Sequence, residues 1–215
     1  MDEAVKPRRA YDSSRRREQA RQSRNAVLEA ARNLFLERGY AATSIPAIAS
    51  EAGVAVPTVY KGFGNKAGLL KAVFDVSIVG DDEPVPMLQR EMVKRIEAEP
   101  NPRRKFSLYG EHLSLAAPRA AGIQLVAREA AASDADACQV WEKMLAERLT
   151  GMTEFARHLH SGRHLREGVS LEEARDVLWA LNSVELYELL VLRRGWTPQR
   201  YGCWVAAAMS AALLA

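Results

Sequence analysis

The sequence predicts an all-α protein, and three observations predict it. Apolar residues recur at three- and four-residue intervals through nearly every segment. No run alternates with the period of two that a half-buried strand requires. Breaks rich in Gly, Pro, Asp and Ser cut the chain into pieces of helical length. With 215 residues, 48% of them hydrophobic, the chain is long enough for one large core or for a small head on a larger body.

The elements follow in order. Residues 1–16 hold Pro7, Ser13, Ser14 and scattered Arg8, Arg9, Arg15 and Arg16 without apolar periodicity, and read as a mobile basic arm. From Arg17 onward Val27, Leu28, Ala31, Leu34 and Phe35 fall at helical spacing, and Gly39 follows as a stop. Thr43 or Ser44 can cap a short second helix carrying Ile45, Ile48 and Ala49. Pro46 falls in its first turn, where the missing N–H has no partner to lose. Gly53 stands where two helices must meet sharply, a position suited to left-handed backbone, with Val54 as the apolar plug of the turn. A third short helix, about residues 56–63, opens with Pro57, places Val59 and Phe63 on one face and is closed by Gly62 and Gly64. Asn65 can cap a fourth helix whose Leu69, Leu70, Val73 and Phe74 form a buried stripe.

Residues 80–84, Gly-Asp-Asp-Glu-Pro, break the pattern and read as a linker. They divide a head at 17–80 from a body at 81–215. The body reads as helical throughout, with breaks expected at 100–102, 117–118, 133–134, 162–168 and 195–198. Its last two segments, 171–194 and 198–214, make an apolar hairpin.

Charge is divided unevenly. Residues 1–80 carry 13 Lys and Arg against 8 Asp and Glu, while the remainder carries 17 against 19. A basic end on a near-neutral body suits a polyanionic partner, because Lys and Arg gain affinity by displacing counterions from phosphate; a merely solvated arm explains the same charge. Cys138 and Cys203 form no CxxC pair, so no disulfide scaffold or zinc ribbon is indicated, and a reducing cytoplasmic setting is expected. No run of about 18 apolar residues suggests a membrane span. No nucleophile elbow, zinc-protease helix, phosphate loop or dinucleotide fingerprint is present, so neither an enzyme nor a cofactor is expected. His158, His160 and His164 approach a metal-binding spacing, but Gly162 interrupts them and no Cys or clear carboxylate partner stands near, so no metal is expected.

Helix, short helix, tight Gly turn, short helix and longer helix within about 60 residues is the plan of a helix-turn-helix head, in which the second short helix enters the DNA major groove. The groove is about 12 Å wide and admits one helix, so base contacts must come from a few exposed side chains near its start. Here these are Val56, Pro57, Thr58, Tyr60 and Lys61. One such helix spans only about four base pairs, so a homodimer on a symmetric site of double-stranded DNA is expected.

Leu34-Phe35, Gly39-Tyr40, Thr43-Ser44-Ile45, Ile48-Ala49, Ala52-Gly53-Val54, Thr58-Val59-Tyr60, Phe63, Asn65-Lys66 and Leu69-Leu70 together make the chain resemble the TetR family of transcriptional regulators over about residues 20–75. Pro46 and Gly62 depart from the usual pattern. The resemblance implies that Thr43 or Ser44, Tyr60 and Lys66 touch the DNA backbone, while Val56, Pro57, Thr58 and Lys61 face bases. Tyr60 packed against Phe63, and Lys66 as a solvated residue, are the plainer alternatives. Arg15, Arg16, Arg17, Arg21 and Arg24 either reach an adjacent minor groove or flanking phosphates, or are simply solvated.

The resemblance also implies an N-terminal three-helix DNA-binding domain joined by a fourth helix to a C-terminal helical domain for ligand binding and dimerisation. The last two helices of each subunit would form the dimer interface, with Trp179, Leu186, Leu189, Leu190, Tyr201, Trp204 and Ala208 shared between interface and core. A small-molecule effector would occupy the middle helices, where Tyr109, His112, Arg128, Trp141, Met144, Phe155 and Tyr187 are candidates for its pocket or else ordinary core. The function implied is a dimeric repressor released from a palindromic operator by its effector. A regulator governed by a protein partner, and an all-helical enzyme or adaptor, are the alternatives.

Overall fold

The computed structural model describes residues 13–215, and the arm expected over residues 1–16 lies outside them up to residue 12. Residues 13–16 already belong to the first helix. That helix, α1 (Ser13–Ala42), is exposed and arginine-rich over residues 15–22, and its buried stripe begins at Val27 and runs through Ala31 and Leu34 to Phe35. Gly39 interrupts its helical geometry with φ 76°, where the sequence places the stop.

Helices α2 (Ile45–Glu51), α3 (Val56–Phe63) and α4 (Lys66–Val79) complete the head. Their ends are set by local chemistry. Ser44 accepts from the Ala47 N–H to cap α2, and Asn65 accepts from the Gly68 N–H to cap α4. Between α2 and α3, Gly53 turns left-handed at φ 64° and the Val54 N–H returns to the Ala49 carbonyl. Phe35, Ile48, Val59, Leu69 and Leu70 fill the centre of the head.

The body is helical, and no strand occurs among the described residues. After a single 3-10 turn at Met87–Gln89 come α5 (Glu91–Ala98), α6 (Pro102–Ala131), α7 (Ala135–Ser161), α8 (Leu171–Leu181), α9 (Val184–Tyr187) and α10 (Pro198–Leu213). Helix α6 is the common support. Ala120, Ile123, Ala127 and Ala130 on it join the head core, while Phe106, Leu108, Tyr109 and Leu113 join a second core with α7, α8 and α10. Where α6 and α10 cross, Gly110 and Gly202 face each other so closely that a methyl group on either would overlap the other's carbonyl oxygen.

Two expectations about breaks are corrected. The one at 117–118 is absent, because α6 runs straight through Pro118. Its neighbours Ala116, Ala120 and Ala121 are buried, and that packing outweighs the hydrogen bond Pro118 removes. Conversely, the single helix expected over 171–194 is broken at Asn182 and Ser183, where the backbone leaves helical geometry, and it finishes as a π-helical turn over Glu188–Arg193. The Arg148 guanidinium on α7 donates to the carbonyls of Trp179 and Asn182, both at 2.9 Å, and so partners groups that the break leaves without helical hydrogen bonds.

Candidate functional site

Helix α3 presents one buried and one open face. Val59 is fully buried against the head, and Val56 and Phe63 pack partly against the same core. Pro57, Thr58, Tyr60, Lys61 and Gly62 are exposed. Tyr60 is 50% exposed, which favours the open role over packing against Phe63. Val56, expected to face bases, has half of its surface committed to the core, because the helix must bury its first and fourth residues together.

The backbone-contact candidates separate. Thr43 is 2% exposed and its hydroxyl donates to the carbonyls of Gly39 (2.7 Å) and Leu34 (3.1 Å), closing the kinked end of α1 and leaving nothing to offer a phosphate. Ser44 is exposed at the start of α2. Lys66 is neither solvated nor outstretched. Its Nζ donates to the carbonyls of Tyr40 (2.9 Å) and Thr43 (3.1 Å) and lies 4.0 Å from the centre of the Tyr40 ring. An ammonium has three donors, so one N–H remains beyond those two carbonyl bonds.

Two arginines of α1 are also engaged. Arg21 pairs with Glu18 at 3.1 Å, an exposed pair of little energetic weight. Arg24 makes two contacts with Asp82 in the linker, at 2.6 and 3.2 Å, and its guanidinium lies 4.6 Å from the Phe63 ring at the end of α3. Arg24 thereby sits at the joint between head and linker.

Beneath that joint lies a cavity of about 920 Å³ in the body. Tyr109, His112, Met144, Phe155 and Tyr187 line it, as expected of a pocket. Arg128 and Trp141 do not. Arg128 is drawn outward into ion pairs with Glu188 (2.8 Å) and Glu185 (3.4 Å), and Trp141 bridges the two cores. Three sets of wall residues had no signal in the sequence: Arg148 on α7, the helix break at Asn182 and Ser183, and the linker 81–90. A wall built from an irregular polar segment carries no periodicity to read. The linker is pinned at both ends, by Arg24 to Asp82 and by Arg90 to Asp81 at 2.8 Å. Between the pins Val85, Met87 and Leu88 are exposed although apolar.

The cavity holds neutral phenols. Burial raises the hydroxyl pKa of Tyr109, Tyr187 and Tyr201, so each can donate at neutral pH. Burial, with Arg119 second, lowers the His112 pKa and keeps that imidazole uncharged.

The interface candidates also divide. Leu189 is 51% exposed and its neighbour Leu192 is 55% exposed. Trp179, Leu186, Leu190, Trp204 and Ala208 are half-buried, with Trp204 edge-on to Trp196. Tyr201 is only 1% exposed, edge-on to Tyr187 on the cavity wall, and has no surface to share with a partner. Its place in the interface set is corrected: α10 turns it inward toward α9.

Comparison with known proteins agrees with this geometry. The profile for bacterial regulatory proteins of the tetR family matches residues 27–73. The HTH-type transcriptional repressor ComR of Escherichia coli is 44% identical over 52 residues, covering 24% of this chain and 25% of that protein. The HTH-type transcriptional regulator TtgR of Pseudomonas putida is 41% identical over 61 residues, covering 28% and 29%. The chain thus spans between a quarter and a third of the length of these curated relatives. Two solved structures share the whole fold. The transcriptional regulator FadR of Bacillus subtilis, in complex with stearoyl-CoA, superposes with a TM-score of 0.69 at 22% identity over 87% of this chain and 98% of that one. NalD, the secondary repressor of the MexAB-OprM multidrug efflux pump in Pseudomonas aeruginosa, superposes with a TM-score of 0.69 at 23% identity over 92% and 98%. The profile match over residues 27–73 makes the head similar to that of bacterial regulatory proteins of the tetR family, and the two solved structures share the all-α fold.

Proposed function

We propose that the chain is a dimeric transcriptional repressor whose α3 helices read a palindromic operator, and which a small molecule in the body cavity releases. The observation that carries the DNA half is the open face of α3. A short helix fixed by one buried valine, with Thr58, Tyr60 and Lys61 left exposed, has no packing use for those side chains and is the shape that a major groove admits. Thr58 donates to or accepts from a base edge, Pro57 packs on a thymine methyl, and Tyr60, Lys61 and Ser44 hold phosphates.

The cavity supports the effector half, and Arg24 supports the coupling. Its guanidinium lines the cavity, grips the linker through Asp82 and covers the last ring of α3. A ligand that displaces the linker therefore pulls on the residue against which the reading helix rests. Release follows if the ligand binds more tightly to the head spacing that misses the grooves. The same cavity favours an effector over control by a protein partner alone, since its volume is that of a small-molecule site.

The test is a titration of native protein and Thr58→Ala against the duplex that the native protein selects and against a scrambled duplex. Thr58→Ala is expected to weaken binding to the selected duplex by about 1–3 kcal/mol and to leave scrambled-sequence binding unchanged. Equal loss on both duplexes contradicts base reading by α3.

A further inference from the structure

Arg24, Lys71 and Arg90 on the cavity wall are each matched by a carboxylate. Asp82 answers Arg24, Asp81 answers Arg90, and Asp75 and Glu147 answer Lys71 at 2.5 and 2.9 Å. Lys105 donates to the carbonyls of Ile96 and Glu97 at the end of α5 and has Glu97 and Glu99 nearby. Arg148 is placed as Lys105 is, with the Glu185 carboxylate acting on it from beyond ion-pair distance. No carboxylate lies within ion-pair distance of it among the described residues. A single nitrogen, Nη1, makes both of its hydrogen bonds, to the carbonyls of Trp179 and Asn182. One face of its guanidinium is covered by the Trp179 ring at 4.6 Å. A guanidinium carries five N–H donors, so its Nε and Nη2 hydrogens remain beyond those two bonds.

The surroundings make that incomplete pairing costly. Arg148 lines the cavity beside the phenols of Tyr109 and Tyr201, in a wall completed by Phe155, Met152 and Val184. Burial lowers its pKa, which states that the charge is poorly solvated where it stands. A cation with no carboxylate at ion-pair distance gains from an anion that reaches it, and a guanidinium rewards a planar or tetrahedral oxyanion with parallel hydrogen bonds. The neutral Tyr109 phenol beside it adds a donor and no competing negative charge, while the Tyr201 hydroxyl donates to the Ser183 carbonyl at 3.5 Å.

We infer that the effector is an amphipathic organic anion, its carboxylate, sulfonate or phosphate held by Arg148 and its apolar body lying along the aromatic wall. This rests on the effector reading of the cavity given above. It also assigns a use to the break between α8 and α9: the carbonyls freed at that break orient the guanidinium through Nη1 and leave its other edge for the ligand.

The test compares two dyes of one skeleton, anilinonaphthalene sulfonate and phenylnaphthylamine, which lacks the sulfonate. Both fluoresce on entering apolar cavities. Binding is titrated on the full-length protein, counting only the saturable site of one dye per subunit. The anionic dye is expected to bind about tenfold or more tightly than the neutral one. Arg148→Gln, which keeps a donor for the two carbonyls, is expected to weaken the anionic dye by about tenfold and to change the neutral dye by less than about twofold. Arg148→Lys, which keeps the charge, is expected to retain part of the preference. A purely structural role for Arg148 would move both dyes together and overturn the assignment. If the neutral dye binds native protein as tightly as the anionic one, the effector reading stands and the anion assignment falls. If neither dye enters, both fall. Should Arg148→Gln not fold, the native dye pair and Arg148→Lys still decide.

Discussion

Gly202→Ala is expected to lower the free energy of unfolding by about 3 kcal/mol, measured by chemical denaturation. The usual effect of this change in a helix interior has the opposite sign, because alanine restricts the unfolded chain and favours helix by about 0.5–1 kcal/mol. Here the methyl group would meet the Gly110 carbonyl oxygen on α6, a backbone atom that no rotamer change can move aside. The helices must separate, and with them the packing of Tyr201, Val205 and Met209 against Phe106 and Tyr109. Gly110→Ala is expected to do the same from the other side, where the Gly202 carbonyl and the Ala206 side chain stand in the way. Gly151→Ala is the internal control. It lies inside α7 with nothing within 4 Å of the added carbon, and is expected to be neutral or slightly stabilising. Equal effects at Gly202 and Gly151 would show that α6 and α10 do not meet through their backbones.

The second large effect concerns assembly. Leu189→Asp is expected to turn a dimer into a monomer at concentrations of about 10 μM, read by sedimentation, and to abolish tight binding to the selected duplex. Leu189 and Leu192 stand half exposed on the π-helical turn at the end of the α8–α9 segment. In the proposed dimer a two-fold axis through this face would use every side chain twice, so each substitution would count twice. Losing the burial of a leucine costs about 2 kcal/mol, and enclosing a carboxylate costs more. Leu115→Asp supplies the contrast, since Leu115 is equally exposed but lies on α6, and it is expected to leave the dimer intact. Dissociation by Leu115→Asp instead would move the interface to α6.

The head was legible because its signals are local. Ser44, Gly53, Pro57 and Asn65 each act on backbone groups within four residues, so their roles can be read from spacing alone. What the sequence concealed depends on partners far along the chain. Lys66 reads as an exposed cation near a helix start until the end of α1 brings two carbonyls to it, and Arg24 reads as part of a basic arm until the linker delivers Asp82. Pro118 reads as a break, because nothing in its neighbours announces that α6 is clamped along its length by both cores. The split at Asn182 and Ser183 is partnered by Arg148, 34 positions before Asn182. In the cavity the aromatic candidates were recognisable as bulky residues at helical spacing. Tyr201 was misplaced because an apolar hairpin helix shows the same stripe whether it faces a partner or its own body.

The central claim is that α3 reads DNA as one of a symmetric pair, and selection of bound duplexes from a random library by the full-length protein tests it most directly. The enriched duplexes would then be titrated at two salt concentrations. The expected result is a palindrome whose half-sites are centred about one helical turn apart, or somewhat more, bound in the nanomolar range with affinity that falls as salt rises. Recovery of no common sequence, with only weak and strongly salt-dependent binding to every duplex, would contradict it.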